Sequence, residues 1–169
     1  GGYRFSEAER TFGIAGQPGP PLVVHDGDDS FSVHGYIDRV DRDDAGRVRI
    51  VDYKTPGPST FTHAAVRDGK KLQLPLYALA AQEALGLGQV TEGFYWHVQH
   101  AEPSGFTLSR FSAGDRRGPQ AAMEHVVALA WEAVRGARAG AFVPRTPAGG
   151  CPSYCPAAAY CWHYKDASW

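Results

Sequence analysis

The 169-residue chain has no long apolar run, no surplus of either charge and only three cysteines. Each shortage removes a class of protein. No stretch approaches the roughly 18 apolar residues of a membrane span, and no signal peptide opens the chain. A membrane protein is therefore not expected, and the expected location is the cytoplasm. Seventeen Lys and Arg stand against 18 Asp and Glu, for a net charge of −1. Nucleic-acid partners are usually announced by a basic excess, so DNA binding here would need a local basic patch. The cysteines, Cys151, Cys155 and Cys161, all fall between 151 and 161. An odd, clustered set argues against a disulfide framework and for a metal site or reactive thiols.

What is present is ample for a core: 43% of residues are apolar and 12% aromatic. The length predicts one domain over 1–169, with a cysteine-bearing tail at 143–169. The opening "GGYRFSEAERTFGI" reads as the middle of a domain, which predicts a fragment whose upstream helical part is missing. Glycines and prolines gather in "GIAGQPGPP" and "VPRTPAGGCP" as turns. Strands are expected at 3–14, 21–25, 31–42 and 47–54, and "TPGPST" breaks the pattern. "KKLQLPLYALAAQEAL" (70–85) reads as a helix stopped by Gly86, with Pro75 tolerable only in the first turn. "GFYWHVQH" and "GFTLSRF" alternate as strands. Residues 119–140 form the longest predicted helix, and "PAAAYCW" offers one further turn. Mixed strands and helices predict an α/β or α+β domain around a central mixed sheet.

The stretch "YIDRVDRDDAGRVRIVDYKT" (36–55) carries the chemistry. "DAG" at 44–46 suits a three-residue hairpin loop, a type I turn followed by glycine in the left-handed region. That loop pairs Asp43 with Arg47. Counting outward sets Val40 opposite Ile50 and Asp38 opposite Asp52. Opposed side chains share a face about 5 Å apart, where two carboxylates repel unless a cation sits between them. Lys54, two residues from Asp52, points the same way. Two carboxylates with an ammonium beside them suit Mg²⁺, and the metal can neutralise a scissile phosphate. On spacing alone, a surface hairpin with an Asp/Lys salt bridge fits as well. Gln73 and Tyr77, four apart, share a helix face; taken alone, Tyr77 reads as a core aromatic and Gln73 as a solvated first-turn residue.

Taken together and in order, "GYIDRV", "VDYKT" and "QLPLY" resemble the nuclease domain of the RecB-like branch of the PD-(D/E)XK superfamily, whose relatives include AddAB- and AdnAB-type and CRISPR-adaptation nucleases. The resemblance covers about residues 30–85. It implies a restriction-endonuclease-like core and a Mg²⁺- or Mn²⁺-dependent exonuclease acting on DNA ends in repair or recombination, with a fused or associated helicase. It also implies that Asp38 and Asp52 bind the metal, that Lys54 is catalytic, and that Gln73 and Tyr77 complete the catalytic set and contact DNA. Arg67, Lys70 and Lys71 in "RDGKK" are DNA-binding candidates, while Arg39 points to the other face.

Many members of this branch bind a [4Fe–4S] cluster through one upstream and three C-terminal cysteines, which makes Cys151, Cys155 and Cys161 candidate ligands. Here the spacing is three then five residues instead of two then five, and there is no fourth cysteine. A Cys₃His zinc site with His163 and plain packing of small apolar residues remain open. Glu9 resembles a glutamate often found ahead of the hairpin. His25 and His34 read as structural, and His97, His100 and His125 as surface or core positions. The competing functions are a DNA-binding or structural module without the chemistry, and a zinc-binding interaction domain that rests on the tail alone.

Overall fold

The computed structural model describes residues 2–55, 57–142, 151, 154–157 and 161. They divide into two compact units, Gly1–Glu132 and Ala133–Trp169. The first holds a five-stranded sheet with the order β1-β4-β5-β6-β7. Its strands are β1 (Arg4–Phe12), β4 (Gly35–Arg42), β5 (Val48–Lys54), β6 (Val90–His97) and β7 (Glu102–Thr107). β5 and β6 run parallel and every other neighbouring pair is antiparallel. A parallel pair needs a long crossover, and this one carries α1 (His63–Arg67) and α2 (Gln73–Leu79). The result is the central mixed sheet with flanking helices of the restriction-endonuclease-like α/β fold.

The expected strand over 31–42 is two strands. β2 (Leu22–Asp26) pairs with β3 (Asp29–Val33) in a separate hairpin, and the chain re-enters the main sheet only after the exposed His34. The expected helix over 70–85 begins later, at Gln73, because Gly69 turns the chain at φ +74° and the N–H groups of Lys70 and Lys71 close back on Ala65 O. Pro75 therefore does fall in the first turn, where its missing N–H costs nothing. Ala80–Ala84 continue as a wider π-type turn, and Gly86 ends it at φ +59°. α1 is capped by Thr62, whose hydroxyl accepts from Ala65 N–H at 3.1 Å. α3 spans Gly118–Arg138, and a two-residue pair, β8 (Ser112–Ala113) and β9 (Arg116–Arg117), precedes it.

The core of the first unit lies on the sheet face that carries Val40, Val48 and Ile50, all at 0% exposure, with Leu74, Ala78, Phe106, Leu108 and Met123 also buried. Each of these side chains except Ala78 contributes roughly 1.5–3 kcal/mol by leaving water. On the opposite face the buried Asp41 accepts from Arg39 Nε at 2.7 Å and from Arg49 Nη2 at 2.6 Å, so its charge is paired twice. Arg39 thus points away from Asp38's side of the sheet, as its position in the strand requires.

Candidate active site

The hairpin loop sets the geometry. Asp43 N–H donates to Arg47 O and Gly46 N–H to Asp43 O, each at 3.0 Å, and Gly46 takes φ +76°. Asp43 also accepts through its side chain from Ala45 N–H and Arg47 N–H, which makes the turn self-supporting. From there the ladder runs Arg42↔Val48, Asp41↔Arg49, Val40↔Ile50 and Arg39↔Val51. The next step of the same register sets Asp38 opposite Asp52. There the strands part. Alternation of the antiparallel bonds would give Tyr53 N–H to Ile37 O, but Tyr53 N–H instead donates to Asp38 Oδ2 at 2.7 Å. One Asp38 oxygen is therefore held against the backbone, a feature the spacing alone did not anticipate.

Asp52 is 1% exposed. Lys54 Nζ sits 2.5 Å from its Oδ2 as an ion pair, yet among the described residues no donor reaches either Asp52 oxygen at a hydrogen-bonding angle. Burial pushes the Asp52 carboxyl up to about 6, the Lys54 ammonium pulls it down, and the Asp38 charge adds to the rise. A desolvated carboxylate beside a second one is costly. It is the environment a divalent cation relieves, and two carboxylates, with water and a substrate phosphate completing the shell, form a suitable set for Mg²⁺.

α2 supplies the other wall. Lys54 Nζ donates to Gln73 Oε1 at 2.7 Å, and Gln73 Nε2 donates to Tyr77 Oη at 2.9 Å. Tyr77 is half-buried, with its ring edge-on to Phe12 at 5.6 Å. The parallel register adds residues that the sequence did not single out: Tyr95 lies beside Asp52 and His97 beside Lys54. Both are buried, and Phe61 packs on both rings. Burial drives the Tyr95 phenol well above its ordinary pKa, and its oxygen accepts from Leu74 N–H at 3.4 Å. The alternation of "GFYWH" marks a strand, but nothing local in it marks a parallel neighbour.

The structure thus brings Asp38, Asp52, Lys54, Gln73 and Tyr77 together. Arg67, Lys70 and Lys71 lie on α1 and the turn that follows it. Arg67 and Lys70 are exposed, with Lys70 3.3 Å from Asp68, while the Lys71 ammonium sits 4.5 Å above the Phe61 ring. Glu9 is exposed and left-handed at φ +49°, flanked by the pairs Ala8↔Arg39 and Arg10↔Ile37. Cys151 is exposed and Cys155 and Cys161 are half-buried, all three as free thiols. Cys161 N–H donates to Ala157 O at 2.8 Å; most of the expected turn at "PAAAYCW" lies outside the described residues. Among the described residues, no group of three or more His, Cys, Asp or Glu is arranged to hold a metal, so the geometry supports neither a cluster nor a zinc site. His163 lies outside the described residues. Among the described residues, no helix is long and apolar enough to cross a membrane.

Comparison with known proteins places the chain in a family. The profile of the PD-(D/E)XK nuclease superfamily matches residues 2–162. One subunit of an ATP-dependent helicase/deoxyribonuclease from Leuconostoc citreum is 34% identical over 115 residues, which is 64% of this chain and 9% of that protein. Its counterpart of the same description from Moorella thermoacetica is 37% identical over 98 residues, 54% of this chain and 8% of that protein. The chain therefore spans less than a tenth of the length of these curated relatives. On the site geometry and the match across nearly its whole length, the chain belongs to the PD-(D/E)XK nuclease superfamily, with relatives that agree with the RecB-like branch its motifs resemble.

Proposed function

We propose that this domain hydrolyses phosphodiester bonds in DNA, as a Mg²⁺- or Mn²⁺-dependent exonuclease working at DNA ends beside a fused or associated helicase in repair or recombination. The observation that carries the reading is the pair of opposed acids, one of them fully buried and short of donors, with Lys54 held against it. Asp52 and Asp38 would hold the cation, Asp38 through the oxygen that the Tyr53 N–H leaves free. Bound there, the cation neutralises charge on the scissile phosphate. Lys54 is the only side chain of the set that carries positive charge, and its ammonium stabilises the negative charge that grows on the phosphate oxygens in the transition state. Gln73 is exposed and already bonded to Lys54, which puts it within reach of the same DNA strand. Arg67, Lys70 and Lys71 supply a local basic patch, which a chain with no net positive charge needs if it is to meet a phosphate backbone.

The test is cleavage of end-labelled linear DNA and of closed circular single-stranded DNA with Mg²⁺ or Mn²⁺. The wild type degrades the linear substrate and spares the circle. Asp52→Ala and Lys54→Ala abolish cleavage and leave the circular dichroism spectrum unchanged. Full activity in either variant, or an inert wild type with both metals, refutes the assignment. Cleavage of the circle keeps the nuclease and replaces the exonuclease with an endonuclease.

A further inference from the structure

Gly35 opens β4 and is buried, and its backbone is not left-handed, so conformation does not explain the glycine. Space does. A Cβ at this position would lie 2.8 Å from Tyr77 Oη, 3.0 Å from Cε1 and 3.2 Å from Cζ. The missing side chain is a notch that seats the hydroxyl end of the Tyr77 ring. Phe12, paired with Gly35 across β1 and β4, meets the ring edge-on.

The seated phenol has a definite electrical task. An ammonium only donates hydrogen bonds, so the Gln73 amide must show Lys54 its carbonyl, and its NH₂ then needs an acceptor. Tyr77 Oη is that acceptor. Without it the NH₂ turns to water, and the amide is no longer fixed in place beside Lys54. With it, Gln73 Oε1 takes one of the three N–H groups of Lys54 Nζ, and the ion pair with Asp52 Oδ2 holds the ammonium from another side.

We propose that Tyr77 and Gly35 are positioning residues for Lys54: the notch seats the phenol, the phenol orients the Gln73 amide, and the amide, with the charge of Asp52, aims the ammonium at the reacting phosphate. Its catalytic consequence rests on the nuclease reading above. It differs from the expectation that Tyr77 contacts DNA, because here Tyr77 acts through Gln73 and Lys54 without touching substrate.

Two measurements on the full chain test it. The first needs neither metal nor DNA. The ¹⁵Nζ resonance of Lys54, assigned by its loss in Lys54→Met, reports proton exchange with water. In Tyr77→Phe, which keeps the ring, exchange accelerates about ten-fold, as it does in Gln73→Ala; unchanged exchange overturns the relay. The second is kinetic. Tyr77→Phe lowers kcat by roughly 10- to 100-fold, the range expected when a reacting group is displaced by about an ångström. Its KM, and its affinity for DNA in Ca²⁺, stay within about two-fold of wild type. Weakened DNA binding with kcat unchanged overturns the proposal in favour of a DNA contact. Gly35→Ala reproduces the kcat loss, and adding Tyr77→Phe to it costs nothing more, since the two act on one element; additive losses count against the relay. If the wild type cleaves no DNA with Mg²⁺ or Mn²⁺, the nuclease reading falls, and the exchange measurement still decides the relay.

Discussion

Asp52→Asn is expected to stabilise the metal-free protein at neutral pH. The change keeps the shape of the side chain and removes its charge. Burial raises the Asp52 carboxyl from 3.8 to about 6, which at about 1.4 kcal/mol per unit amounts to about 3 kcal/mol held against the ionised folded state. The attraction to Lys54 is already within this figure, because the ammonium offsets part of the effect of burial. The gain is about 3 kcal/mol, or roughly 6–12 °C in the unfolding midpoint for a chain of this size. The sign follows from proton binding. Between about pH 4 and pH 6 the folded protein keeps the proton that the unfolded chain has released, so wild-type stability falls as pH rises through that window. The variant lacks this component, and the difference between the two curves opens from about pH 4, levelling off above about pH 6. The assay is urea denaturation in EDTA from pH 4 to pH 8. Parallel curves, or an Asn variant less stable than wild type at pH 7, would refute the strained-carboxylate argument. Adding Mn²⁺ then reverses the order: the wild type gains about 4.1 kcal/mol at a thousand times the dissociation constant, while the variant gains little.

Two further substitutions test the frame around the site. Gly46→Ala has open space for its methyl group but must adopt φ +76°, so it costs about 1 kcal/mol in urea denaturation and leaves the ladder register intact by NMR. Asp41→Ala removes a fully buried carboxylate shared by Arg39 and Arg49. Because both arginines are partly exposed, the loss is about 1–3 kcal/mol, below that of a fully buried pair; a loss under about 0.5 kcal/mol would mean the shared pair contributes nothing to the fold.

The order of the strands along the chain, the hairpin loop and its register were legible in the sequence because their causes are local. A Gly at 46 allows the left-handed turn, Asp43 braces it, and a period of two then carries Asp38 to its place opposite Asp52. The i, i+4 spacing likewise put Gln73 and Tyr77 on one helix face. The short helix α1 was missed because five residues with one buried side chain, Val66, show no periodicity, and the break at His34 was missed because β3 and β4 have nearly continuous strand composition. Everything that makes the hairpin a site needed tertiary structure. The parallel pairing of β5 with β6 brings Tyr95 and His97 beside Asp52 and Lys54 across a crossover of more than thirty residues, and no local preference encodes which strand will be the neighbour. That packing removes water from Asp52 and raises its pKa. At the same end β4 parts from β5 and Asp38 takes a backbone N–H, while α2 packs on β5 and β6 close enough for Gln73 to reach Lys54. Sequence spacing determines which side chains can face the same way, but long-range burial decides how strongly their charges are felt.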